Sequence, residues 1–282
     1  MQTLLFQLQG ELWKLFARKR TYMGFVAFTL LQVALYFVIH LMGGEQKLRQ
    51  SITMHGQMFE NYFSALTLGH IITGLSVFLL GALYLSLVSG DIVAKESEDG
   101  HMRLLLVRPI SRLRLLALKF AACTAYAFVL IQFAAYSALL LGAIIRGWGG
   151  GLFAFAPEFG ITSFFDSSEG LHRYVIGAAF LALGMTTVSS IGFFFSCMKI
   201  KPAAATIAAL SYVLIDLILR QSNFMEHYDQ FLVTRHMAAW GRVFMDDIPW
   251  AVLVRSYTVL IAVNLSLFVL GAAVFESRDL KS

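Results

Sequence analysis

The sequence predicts an all-α polytopic bundle of six transmembrane helices with an interfacial helix at its N-terminus. Three observations lead there. Hydrophobic residues make up 58% of the 282-residue chain and charged residues only 14%, against about 45–50% and about 25% in an ordinary soluble domain. The apolar residues arrive in six blocks close to the ~20 residues that an α-helix needs to cross a hydrocarbon core of roughly 30 Å. Short polar stretches separate the blocks, with no Pro-rich or Gly/Ser-rich linker, so 1–282 reads as a single membrane domain.

Residues 1–20 precede the first block. Leu4, Leu5, Leu8, Leu12, Leu15 and Phe16 recur at three- and four-residue steps, with Gln7, Glu11, Lys14 and Arg18 on the other face. This is the pattern of a helix lying in the membrane interface and turning into a span. The first long apolar block follows the Arg18-Lys19-Arg20 cluster and is too long for the core of a cleavable signal, so it is expected to remain in the protein.

The expected spans are Tyr22 to Met42, Leu66 to Ser89, Phe120 to Ile145, Tyr174 to Cys197, Pro202 to Leu219 and Ala251 to Phe275. Of the 22 Lys and Arg residues, fourteen fall in the flanks that share a side with both termini and eight on the opposite side. Because positive flanks are retained in the cytosol, both termini are expected there, in a multi-pass protein of the inner (plasma) membrane.

Three segments are then expected outside. Gly43 to Ala65 reads as a polar loop, and Gly147 to His172 opens with a glycine-rich run that no stable helix would tolerate. Residues 220–250 place Phe224, Tyr228, Phe231, Trp240, Phe244 and Trp250 among charges, which predicts short extracytoplasmic helices at headgroup level.

The positive charge of +5 sits between apolar blocks and forms no basic run with interleaved aromatics, so no nucleic-acid partner is expected. Cys123 and Cys197 each lie in an apolar block and imply no disulfide framework. His227 and His236 match no zinc-binding spacing, so no metal site is expected. Inside the spans, Gln132, Asp216 and Asn264 are candidates for lining a polar path. Asp216 lies one turn before Arg220, and a local ion pair between them is the plainer reading.

The most informative stretch is DIVAKESEDGHMRLLLVRPISRLRLLALK, from Asp91 to Lys119. Acidic Asp91, Glu96, Glu98 and Asp99 come first, Gly100 follows as a helix stop, and Arg103, Arg108, Arg112 and Arg114 form a basic half. An apolar ridge from Met102 to Val107 runs between the charges. A simple connector needs no such ridge; a surface that seats in a partner does.

Asp91, Glu96, Glu98, Gly100, Leu104, Leu105, Pro109, Ser111, Arg112 and Lys119 resemble the cytosolic signature of type-2 ABC transporter permeases with the type V exporter fold. The likeness extends to Glu11-Leu12-Trp13-Lys14 with its basic cluster, and to the closing Phe275-Glu276-Ser277-Arg278-Asp279-Leu280. His101 departs from it, since members more often carry Thr there. The resemblance implies that 91–113 is a cytosolic coupling segment containing a coupling helix. Asp91, Glu96, Glu98, Asp99, Gly100, Arg103, Arg108 and Arg112 would dock on a separate ATP-binding cassette subunit. It also implies a second, identical or related permease chain, with ATP and Mg bound by the partner subunit and no cofactor in this chain. The sequence contains no phosphate-binding loop of the G-x-x-x-x-G-K-[ST] type. The resulting expectation is a transport subunit, an exporter rather than an enzyme. The alternatives are a membrane anchor or mechanotransmission subunit that moves no solute, and an intramembrane enzyme.

Overall fold

The computed structural model describes residues 2–17, 19–100, 111–156 and 159–277. Helix α1 (Gln2–Ala17) leads into α2 (Lys19–Leu41), and α3 (Gly44–Met54) and α4 (Phe59–Tyr62) lead on to α5, which runs from Ala65 to Glu98. Next come α6 (Arg112–Arg146), the strands β1 (Leu152–Ala156) and β2 (Ile161–Phe165), α7 (Ser167–Ser196) and α8 (Pro202–Gln221). A 3₁₀ segment (Asn223–Phe231), α9 (Val233–Met237) and a second 3₁₀ segment (Ala238–Phe244) precede α10 (Trp250–Glu276). Helices α2, α5, α6, α7, α8 and α10 are long and apolar enough to cross a membrane, and they match the six expected blocks in order. The chain is an all-α polytopic bundle of the multi-pass membrane class.

Successive spans alternate in direction, so the bundle has one end that carries α1 and another that carries the β-hairpin. Helix α7 is the central one, and α2, α8 and α10 are peripheral, with most of their apolar surface turned outward. Close crossing is possible where small residues meet. A Cβ on Gly90 would stand 2.7 Å from Thr206 Oγ1, and one on Gly192 would overlap Ser89 Oγ. Small residues let helix backbones approach in lipid, where van der Waals packing rather than the hydrophobic effect drives association. The same crossing carries a side-chain clasp: Ser196 Oγ accepts from the backbone N–H groups of Val93 and Ala94, both at 2.9 Å.

Helices α5 and α6 extend beyond their apolar blocks at the α1 end. The sequence predicts a span ending at Ser89 and another starting at Phe120, whereas the helices continue to Glu98 and begin at Arg112. Ser111 caps α6 by accepting the Arg114 N–H at 3.3 Å. Hydropathy falls where charges begin, but a helix needs only backbone hydrogen bonds and paired side chains to continue. The two extensions form a helical stem that ends at Gly100 and Ser111 among the described residues.

At the opposite end the expected loops carry structure. The segment from 43 to 65 holds α3 and α4, and the segment from 147 to 172 holds an antiparallel hairpin pairing Leu152 with Phe165 and Ala156 with Ile161. The glycine run makes the hairpin's seat. Gly150 adopts φ +86°, and a Cβ on Gly151 would stand 2.4 Å from the Phe165 carbonyl oxygen. Gly151 N–H donates to Asn61 O at 2.8 Å while Ser64 Oγ donates to Gly151 O at 2.6 Å, which fastens the hairpin to the start of α5. Of the aromatics assigned to headgroup level, Tyr228, Phe231 and Trp250 are exposed, but Phe244 is buried and stacks edge-on against His70 at 4.4 Å.

Candidate functional site

The charges of the stem are the natural place to look for function. Their geometry divides them into two groups, one closed inside the chain and one open at the tip.

The inner group is a six-charge cluster at the junction of α1, α2, α5 and α6. Lys119 is fully buried, two turns into α6, and its Nζ lies 2.9 Å from Glu11 Oε2 and 2.6 Å from Glu96 Oε2. Glu11 also pairs with Lys14 at 2.6 Å, and Arg20 at the start of α2 donates to Asp91 on α5. Three acids and three bases thus balance. Burial alone would raise the Glu11 carboxyl, but Lys119 and Lys14 outweigh it and hold its pKa below the ordinary 4.5. A buried charge is tolerated only when paired and hydrogen-bonded. The cluster therefore ties the leading helix to both arms of the stem.

Two of the expected docking residues belong to this cluster. Asp91 and Glu96 are 7% and 6% exposed, and their carboxylates serve Arg20 and Lys119 of the same chain. Within the chain they brace the stem. The open group keeps the expected exposure: Glu98, Asp99 and Gly100 are at the surface, with Gly100 at φ +72° ending α5. Arg112 is half-buried and its Nη1 donates to the Glu276 carbonyl at 3.4 Å, linking the stem to the end of α10. Arg103 and Arg108, the apolar ridge from Met102 to Val107, and His101 lie outside the described residues.

Helix α1 lays part of its apolar face on the bundle. Leu15 is buried, and Leu8, Leu12 and Phe16 pack on the bundle core, so the long apolar face meets protein. Its outward side shows Phe6 and Trp13, 76% and 77% exposed.

No hydrogen bond or ion pair joins the three pathway candidates among the described residues. Asp216 is buried and pairs with backbone, not with Arg220: Oδ1 accepts the Val233 N–H at 3.2 Å and Oδ2 accepts the Thr234 N–H at 2.7 Å. These are orphan donors at the start of α9, and a carboxylate is a strong acceptor for them. Arg220 engages the other side of the same residue, donating to Thr234 O at 3.3 Å. The expected ion pair is thus replaced by two contacts to one backbone segment. Asn264 Nδ2 lies 3.4 Å from Thr186 Oγ1, and its Oδ1, like Gln132 Oε1, is buried with no partner among the described residues.

Two side chains, Lys119 and Arg173, hold the molecule together through contacts that the sequence pattern does not specify. Lys119 belongs to the resemblance signature, but the sequence presents it as a flank, since the apolar block starts one residue later. Arg173 was counted only as an outer positive charge. It is 7% exposed, and its guanidinium donates to Glu169 Oε1 at 2.6 Å, Val243 O at 2.8 Å, Asp246 O at 2.8 Å and Met245 O, while covering the Phe165 ring at 4.5 Å. One fork of donors gathers carbonyls at and just beyond the end of the second 3₁₀ segment onto α7 and the hairpin. A lone arginine in the first turns of a span was the available signal for it.

No curated protein matches the chain. A family model described as "Protein of unknown function (DUF2705)" matches residues 54–281, which takes in the stem, all spans after the first and the hairpin-end cap. The chain belongs to that family, DUF2705.

Proposed function

We propose that the chain is the membrane-spanning permease subunit of an ATP-driven ABC exporter, energised by a separate ATP-binding subunit and paired with a second permease chain. The observation that carries this reading is the braced stem. Its tip presents Glu98, Asp99 and Gly100, and its shaft is tied to α1 by Glu11, Lys119 and Glu96 and to α10 through Arg112. A displacement applied at 101–110 would move α5, α6 and α1 as a unit, because buried ion pairs resist separation by leaving uncompensated charge. The resemblance of 91–119 to type-2 ABC permeases supplies the partner. ATP and Mg bind in that subunit, and nucleotide drives transport by binding inward-open and outward-open states with different affinity. The coupling segment faces the cytosol in this reading, as do both termini, and the protein resides in the plasma membrane.

A second reading, a mechanotransmission or anchoring subunit that moves no solute, is favoured by the capping role of Asp216, which removes the one acid from the candidate path. Both readings share the docking surface. The experiment is copurification of the ATP-binding subunit with Glu98→Lys/Asp99→Lys, together with its ATPase rate in proteoliposomes. Loss of copurification with the chain still folded is expected. Wild-type association and ATPase rate would overturn the docking assignment.

A further inference from the structure

The six-charge cluster borders a cleft that the docking role leaves unused. Helices α2 and α5 touch where a Cβ on Gly24 would lie 3.3 Å from the Tyr84 ring and where the Phe28 and Tyr84 rings are 6.4 Å apart. Nearer the α1 end, where Arg20 reaches across to Asp91, a small cleft between them is lined by Glu11, Lys14 and Leu15 of α1. The cleft is shallow, with about 30 Å³ of room for water inside it, so an occupant larger than water lies across its open mouth.

The walls are segregated by chemistry. Leu15, Leu87, Val88 and Ile92 form an apolar side. Leu83, one turn before Leu87 on α5, is 44% exposed and continues that side toward the bilayer interior. The carboxylates of Glu11, Asp91 and Glu96 are deep, at 10%, 9% and 8% exposure, while the cationic heads of Lys14 and Arg20 stand at the rim at 48% and 55%. Among the described residues Lys14 gives one of its three donors to Glu11, and Arg20 gives one hydrogen bond of its five donors to Asp91. Donors remain at the mouth for an oxyanion.

We infer that this cleft is a binding site for a glycerophospholipid, with Arg20 and Lys14 holding the phosphodiester and the Leu83, Leu87 and Val88 side of α5 receiving an acyl chain. The depth of the site agrees with this occupant. It sits where two spans end, and α1 beside it exposes Trp13 and Phe6, the aromatic type that settles at the bilayer interface. A free phosphate would satisfy the rim alone and leave the apolar wall uncovered. A lipid satisfies both, since Arg matches a phosphate with paired donors and the wall takes up chain surface. The inference does not depend on an ATPase partner or on which leaflet the α1 end occupies.

The test is native mass spectrometry of the purified full-length chain after detergent exchange. Dioleoyl phosphatidylglycerol, dioleoyl phosphatidylethanolamine and glycerol phosphate are each added separately. Wild type is expected to retain one phospholipid. Arg20→Gln, which acts on the rim, is expected to lower occupancy about tenfold, the equivalent of one charge-assisted contact, and Leu87→Trp, which acts independently by filling the wall side, is expected to lower it as well. Arg20→Lys should retain more lipid than Arg20→Gln, and Lys47→Gln at the other end should match wild type. Thermal unfolding of each variant separates lost binding from lost folding, and the rim and wall variants each stand if the other fails to fold. Equal lipid occupancy in a folded Arg20→Gln or Leu87→Trp chain would overturn the site. So would glycerol phosphate binding as well as either lipid.

Discussion

Lys119 and Glu96 meet inside the bundle, ammonium to carboxylate at 2.6 Å, with the lysine wholly shielded from solvent. Replacing one member of such a pair leaves the other charged and dry, which costs about 3–5 kcal/mol. Lys119→Met is therefore expected to destabilise the purified chain by that amount, whereas Glu98→Gln at the exposed tip should stay within about 1 kcal/mol. Adding Glu96→Gln to Lys119→Met should recover part of the loss. Thermal unfolding in detergent measures all three, and a neutral Lys119→Met would show that the pair does not brace the stem.

Glu11 gives the cluster a pH dependence of definite sign. Its folded pKa is below the ordinary 4.5, so its stabilisation is fully present above that value and is lost as pH falls through the lower, folded one. Glu11→Gln should thus melt below wild type at pH 7, and the gap should narrow once pH drops below about 4. A gap that widened toward acid would contradict the lowered pKa.

Arg173 serves four acceptors at once, three of them carbonyls of 243–246. Lysine cannot reproduce that fork, so Arg173→Lys is expected to cost about 2–3 kcal/mol, the scale of one hydrogen bond to a charged group lost in a buried setting. The damage should be local. Limited proteolysis should cut 238–248 faster than in wild type, while the spans remain protected.

Asp216 is expected to behave as a cap. Asp216→Ala should cost about 1–3 kcal/mol by leaving the Val233 and Thr234 amides unpaired, and Asp216→Asn, which keeps one oxygen acceptor, should cost less. Exchanging Asp216 with Arg220 should fail, because a guanidinium would then face two N–H donors. Stability of the exchanged chain equal to wild type would restore the ion-pair reading that the sequence suggested.

Orientation rests on the Lys and Arg asymmetry and can be read directly. In intact cells, Lys47→Cys should react with a membrane-impermeant thiol reagent and Asp99→Cys should not, because the two exposed positions lie at opposite ends of the bundle. The reverse pattern would invert the assignment of sides.

The sequence by itself determined the six spans, because hydropathy over about 20 residues is a local property and the bilayer demands that each crossing satisfy its own backbone. It also determined that α5 ends at Gly100 and that the glycine run from 147 breaks α6. The hairpin is within reach of sequence reasoning, since two short aromatic-rich runs flank the turn-forming stretch Pro157-Glu158-Phe159-Gly160. What only the tertiary structure decided was where each charge spends its field. Glu96 and Glu98 are two residues apart in one acidic run, yet Glu96 lies within reach of Lys119 from another helix and Glu98 lies beyond the last packed turn. Asp216 stands one turn from Arg220 and still takes its partners from 233 and 234. A buried ion is stabilised by the nearest donors in space, and sequence spacing specifies those only within a single helix.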